Sequence, residues 1–141
     1  MRKLFLDTNV IIDLLFDRKP FSDEAASLVQ LKEAGVVELY LSSLSLANMA
    51  YIAQRSHKDP SIMVDAILHY IEVIDLDKET FVAVNNSRFS DYEDGLQYFS
   101  ALKIKDVEAI ITRDKRHFKA ARIQVMTPSE FLSLPGIKSL L

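Results

Sequence analysis

Asp7, Asp94 and Asp114 are the residues whose type and position say most about chemistry in this chain. Asp7 follows Leu4-Phe5-Leu6, and a carboxylate at the end of an apolar strand is costly to desolvate unless a cation or hydrogen-bond donors compensate it. The alternative is that Asp7 or Thr8 simply caps a helix starting near Asn9, and this segment alone leaves both readings open. Asp114 repeats the arrangement after Ala109-Ile110-Ile111-Thr112, so two strands would deliver an aspartate to one sheet edge. Asp91, Glu93 and Asp94 bring further carboxylates to the start of a helix. Favourable interaction with the helix dipole accounts for Asp91 and Glu93. Asp94, one turn beyond Asp91 and followed by Gly95-Leu96, is placed to point inward toward the sheet edge.

Three carboxylates held together repel one another, and a hard divalent cation such as Mg²⁺ or Mn²⁺, with oxygen ligands and retained waters, is the usual compensation. Such a centre suits phosphodiester hydrolysis, because the ion lowers the pKa of bound water and offsets charge developing on phosphoryl oxygens. Zinc is disfavoured: there is no cysteine, and His57, His69 and His117 stand alone with no paired spacing, as surface or helix-end residues do. With only three glycines and no Walker sequence, Gly-x-Gly-x-x-Gly loop or Gly-x-Ser-x-Gly elbow, P-loop nucleotide hydrolysis and serine esterase chemistry drop out.

The elements that must position these acids follow from periodicity. Residues 3–7 form a short apolar strand and residues 8–16 a helix with Val10, Ile11, Leu14 and Leu15 on one face. A second helix opens near Pro20-Phe21 and stops at Gly35. Residues 36–41 suit a strand, with Ser42 or Ser43 capping a helix to about Arg55. Asp59-Pro60 opens the next helix, Glu72 to Leu76 is a short strand, and a helix runs from about Lys78 to Arg88. Ser90-Asp91-Tyr92-Glu93 offers a capping box for a helix ending near Lys103. Residues 109–112 and 125–126 are β-branched or apolar strand segments, and Thr127-Pro128-Ser129-Glu130 opens the last helix. This alternation predicts an α/β fold, a three-layer α/β/α sandwich with a central parallel sheet, whose ligands bind beyond the carboxyl ends of the strands. No repeat or linker divides residues 1–141, so one domain is expected.

The string Leu6-Asp7-Thr8-Asn9-Val10-Ile11-Ile12-Asp13 resembles the opening of PIN-domain nucleases, and Asp91-Tyr92-Glu93-Asp94-Gly95-Leu96-Gln97 and Ile111-Thr112-Arg113-Asp114 resemble their later acidic motifs in the same order. The resemblance spans nearly the whole chain. It implies a Mg²⁺- or Mn²⁺-dependent endoribonuclease, often the toxin of a VapC-type toxin–antitoxin pair, with RNA as substrate and a cognate antitoxin as partner; a homodimer is a further family-based expectation. By this likeness Asp7, Asp94 and Asp114 are the catalytic, metal-coordinating residues, and Asn9 and Thr112 support them. One departure stands out. The family commonly places a glutamate in the helix after the second strand, whereas this chain has Asn48 there, as a subgroup of PIN-like proteins does. An amide oxygen can bind metal or hold a coordinating water, but it lacks the negative charge that strengthens affinity for a hard cation. His117-Phe118 likewise stands where many relatives have Asp-Phe.

Arg113, Lys115, Arg116, Lys119 and Arg122 cluster beside Asp114 and read as a basic rim for an RNA backbone, with a solvated charged turn as the alternative. The formal charge of −3 argues against strong non-specific attraction to nucleic acid without excluding such a local face. Lack of cysteine is compatible with a reducing cytoplasm. Only Leu4, Phe5 and Leu6 follow Arg2 and Lys3 before Asp7, too few for a signal core or membrane span. Haloacid-dehalogenase-like phosphatases also begin with a strand-end aspartate, but Asn9 replaces their second one, and the acid distribution does not match a response-regulator receiver. The main rival is a PIN-like module with a weak or inactive site that acts through RNA or protein binding.

Overall fold

A computed structural model describes all residues, 1–141. Five strands, β1 (Arg2–Leu6), β2 (Val37–Ser42), β3 (Glu72–Ile74), β4 (Ala109–Ile111) and β5 (Gln124–Met126), form one sheet in the order β3-β2-β1-β4-β5. All four pairings are parallel. The helices are α1 (Thr8–Leu15), α2 (Phe21–Glu33), α3 (Ser43–Arg55), α4 (Pro60–Tyr70), α5 (Lys78–Asn85), α6 (Tyr92–Ala101), α7 (Pro128–Leu132) and α8 (Pro135–Lys138). The expected α/β/α sandwich is therefore present. Strand alternation builds it. Leu4, Leu6, Ala109 and Ile111 point to the larger core with Leu28 and Leu31 of α2, Met49 of α3 and Phe131 of α7. Phe5 and Ile110 point the other way, onto Tyr98 and Ala101 of α6 and Phe118.

The chain runs outward from β1 through β2 to β3, then returns to the opposite side of β1 with β4. The strand order therefore switches between β1 and β4, and a crevice opens beyond their carboxyl ends. Leu6 pairs with Ile111 there, and the Asp7 N–H donates to the Ile111 carbonyl at 2.9 Å, so Asp7 and Thr112 leave the sheet side by side.

Several boundaries differ from the sequence expectation for identifiable reasons. The α5 helix stops at Asn85, because Ser87 Oγ donates to the Val84 carbonyl at 2.7 Å and competes with a further helical turn. The cap of α6 is Asp91 and not a Ser90 capping box: the Asp94 N–H donates to Asp91 Oδ1 at 3.0 Å. A 3-10 turn at Lys115–Phe118 and the short α8 were not foreseen.

Candidate active site

Asp7 is held by hydrogen-bond donors from two elements, one of them the helix it precedes. It caps α1, with its Oδ1 accepting from the Thr8 N–H at 2.8 Å, and its Oδ2 accepts from Thr112 Oγ1 at 2.8 Å. Its residual exposure is 7%. Burial pushes its pKa above the ordinary aspartate value despite these donors and the nearby His117. Asn9 and Thr112 are joined to each other at the strand ends: Asn9 Nδ2 donates to Thr112 Oγ1 at 3.3 Å, while Asn9 Oδ1 accepts from the Arg113 N–H at 3.3 Å. The two residues lock the strand-end loops together and aim the Asp7 carboxylate.

Asp94 reaches the same place from α6. An open cleft of about 570 Å³ is lined by Asp7, Asn9, Arg18, Glu93, Asp94 and His117, among others. Burial, reinforced by Asp91, Asp7 and Glu93, pushes the Asp94 carboxyl up to about 6, with His117 partly opposing. A buried network fixes α6 in this register. Gln97, one turn after Asp94, donates through Nε2 to Thr8 Oγ1 at 2.9 Å and Ser45 Oγ at 2.7 Å, and accepts from Ser42 Oγ at 2.7 Å. Gln97 thereby ties α6 to the starts of α1 and α3. Gly95 is required by packing rather than by backbone conformation: a Cβ there would lie 2.9 Å from Val84 Cγ1 and 3.3 Å from Phe89 Cβ.

Asp114 is placed differently from its two partners. It does not line the cleft. It receives Arg116 Nε at 2.9 Å and Nη2 at 2.7 Å, and His117 Nε2 lies 3.4 Å away. The Arg116 guanidinium holds its carboxyl far below the usual range. Asn48 also stands at the margin, donating through Nδ2 to Glu93 Oε1 at 3.3 Å. Glu93, read from sequence as a helix-dipole residue, in fact lines the cleft, and burial together with Asp91 and Asp7 raises its pKa. Asp91, read in the same way from sequence, lines the cleft too, so all three acids of the motif face it.

The basic rim is rearranged. Arg113 is withdrawn from it: its guanidinium pairs with Asp13, which is 1% exposed, and lies 4.2 Å from the Phe21 ring centroid. Lys115 pairs with Glu130 at 2.9 Å. A buried carboxylate demands a partner more strongly than solvent demands a free cation, which accounts for the Arg113 placement. Arg116 does line the cleft, although its guanidinium serves Asp114. Two further cleft residues escaped the sequence reading: His117, discounted as a surface residue, and Arg18, an exposed arginine shortly after α1. His57 and His69 are exposed and remote from the cleft lining.

Nowhere do three or more His, Asp or Glu side chains converge closely enough to enclose an ion by themselves. The donor set nevertheless fits a hard divalent cation, since magnesium is commonly held by one or two carboxylates while keeping several waters. Asp7 and Asp94 supply two carboxyl groups whose pKa values are raised first by burial and then by neighbouring acids, an environment in which a cation would favour the ionised forms.

A central parallel sheet, a crevice at its β1/β4 switch point and acidic residues from β1 and α6 around it define a member of a known class. The chain belongs to the PIN domain family, which it matches over residues 3–116. It is 26% identical over 135 residues to ribonuclease VapC1 of Aquifex aeolicus, a match covering 92% of each chain. Its fold is similar to that in the VapBC2 structure from Rickettsia felis bound to a DNA fragment from the promoter, with a TM-score of 0.68 and 19% identity over 88% of this chain and 96% of that one. A toxin–antitoxin complex from Klebsiella pneumoniae gives a TM-score of 0.65 and 23% identity over 89% of this chain and 97% of the other.

Proposed function

We propose that this chain is a divalent-metal-dependent endoribonuclease that hydrolyses RNA phosphodiester bonds as the toxin of a toxin–antitoxin pair. The observation that carries this reading is the meeting of Asp7 and Asp94, from separate elements, in one acidic cleft at the switch point of a PIN fold. The extended match to ribonuclease VapC1 supports it. Asp7 and Asp94 would hold Mg²⁺ or Mn²⁺, with Asp114 joining when it exchanges Arg116 for the ion. The ion would supply a water of lowered pKa and offset charge on the phosphoryl oxygens.

The chain's own residues do the positioning. Thr112 and the Thr8 N–H keep the two Asp7 oxygens apart and correctly turned. Gln97 holds the α6 register that brings Asp94 alongside. Arg18, whose side chain makes no ion pair or hydrogen bond within the chain, offers a guanidinium to a substrate phosphate. A cognate antitoxin is the protein partner under this reading, supported by the toxin–antitoxin neighbours in fold, with a homodimer and a cytoplasmic site of action following from the same assignment. No helix is long and apolar enough to cross a membrane.

The decisive experiment incubates the purified protein with a panel of labelled RNAs in Mn²⁺, Mg²⁺ or EDTA, beside Asp7→Asn and Asp94→Asn. The expected result is metal-dependent cleavage that both substitutions reduce at least about 100-fold. A second reading, a PIN module that binds without cleaving, is favoured by Asn48 and by the engagement of Asp114 with Arg116. RNA binding without cleavage in any metal would select it.

A further inference from the structure

A second cavity, of about 490 Å³, lies beside the acidic cleft and has a different chemistry. Its walls include Arg88, Phe89, Tyr98, Phe99 and Arg122. The three aromatic rings pack on one another, with centroids 5.0 Å apart for Phe89–Tyr98 and for Tyr98–Phe99. Phe89 and Phe99 are only partly buried and back onto the smaller core, so the apolar wall is anchored from behind. Neither the Arg88 nor the Arg122 side chain makes an ion pair or hydrogen bond within the chain, in contrast to Arg113, Lys115 and Arg116. Two unpaired cations flanking an aromatic wall are complementary to an anion that carries a flat apolar ring.

Continuity with the cleft says which such anion. The loop before α6 walls the cavity with residues 86–89 and the cleft with Ser90 and Asp91. The segment after β4 walls the cleft with Arg116 and His117 and the cavity with Ala120 and Arg122. The same two chain segments therefore line both openings, the second beginning one residue from the first along the loop before α6, so a strand with its phosphodiester at Asp7 and Asp94 would have the second cavity within reach of its flanking nucleotides. We propose that this aromatic–arginine cavity binds a nucleotide of single-stranded RNA flanking the scissile bond, Arg88 and Arg122 taking backbone phosphate and the Phe99 side taking the base. The volume falls within the range of small-ligand sites, roughly 300–1,000 Å³. Base stacking on aromatic side chains with arginine at the backbone is the common physical mode for single strands. Of the basic rim expected from sequence, Arg122 stays free to meet RNA and is joined by Arg88, whereas Arg113 and Lys115 are taken by Asp13 and Glu130. This inference rests on the ribonuclease reading but is tested without cleavage.

Fluorescence anisotropy in EDTA would follow a labelled ten-nucleotide single-stranded RNA, and the same strand with abasic sugars, across a salt series. Wild type, Arg88→Ala, Arg122→Ala, their double variant and Phe99→Leu are compared, with thermal melting to verify folding. The expected result is weaker binding in the arginine variants and a log–log salt slope shallower by roughly 0.7 per arginine removed. Wild type should prefer the strand with bases by about tenfold, and Phe99→Leu should lose most of that preference. Binding of unchanged affinity and slope in the folded double arginine variant would overturn the site, as would absence of binding by wild type. Because the arginines are exposed, their variants keep the test valid even if Phe99→Leu unfolds. Failure of metal-dependent cleavage with this binding pattern intact would instead overturn the catalytic reading alone.

Discussion

Asp94 illustrates how a single carboxylate links stability to the reaction. Its pKa is pushed up to about 6 from an ordinary 3.8, so between those values the folded chain holds a proton that the unfolded chain has released. This group's contribution to stability is then complete below about pH 4 and is lost as pH rises through about 6. In EDTA at pH 7, Asp94→Asn should therefore be more stable than wild type, by on the order of 1 kcal/mol after allowance for solvent screening, and the gap should close by pH 4. Urea unfolding at the two pH values measures this; a wild type that is the more stable at pH 7 would refute it. Arg113 gives the opposite sign. Its removal leaves Asp13, at 1% exposure, without its ion-pair partner, and Arg113→Ala should cost about 3 kcal/mol in the same assay. A loss below about 0.5 kcal/mol would return Arg113 to the surface role expected from sequence.

Helix α6 is the element on which the site depends most. Its N-terminal turn carries Glu93 and Asp94 into the cleft, and one turn later Gln97 reaches Thr8, Ser42 and Ser45. Replacing Gln97 by leucine leaves buried hydroxyls without their partner, for which a cost of about 2–3 kcal/mol is expected. The same substitution frees α6 to shift relative to α1, so RNA cleavage should fall further than stability alone explains. Comparing the activity of the folded fraction with the melting curve separates the two effects. Gly95 acts on the other side of the helix. A methyl group there meets Val84 on α5, so Gly95→Ala should destabilise by roughly 1–3 kcal/mol through overpacking, in spite of alanine's better helix propensity. A stabilised Gly95→Ala protein would mean that α5 yields easily.

For the whole molecule, the cleft is a place where folding leaves negative charge poorly compensated, and the sheet on either side supplies the rigidity that holds it so. Binding of a cation to the folded chain alone must then raise overall stability, by about 2.7 kcal/mol at a concentration one hundred times its Kd. Mn²⁺ should raise the Tm of wild type and leave that of Asp7→Asn nearly unchanged, as followed by calorimetry in a chelator-free buffer. Equal shifts in both proteins would place the ion elsewhere.

The sequence by itself determined the alternation of strands and helices, the parallel sheet and the strand-end position of Asp7, because each follows from local periodicity, caps and turn residues within a few positions of one another. It also singled out Asp94, which the structure brings into one cleft with Asp7. Tertiary structure alone decided which charges are free. Arg113 and Lys115 turn to Asp13 and Glu130, Arg116 takes Asp114, and Glu93 and His117 enter the cleft. Arg88 and Arg122, 34 positions apart, come to wall one cavity. Such pairings depend on distances between side chains from remote elements, and a buried carboxylate competes for cations with a strength set by desolvation, which no local pattern of residues encodes.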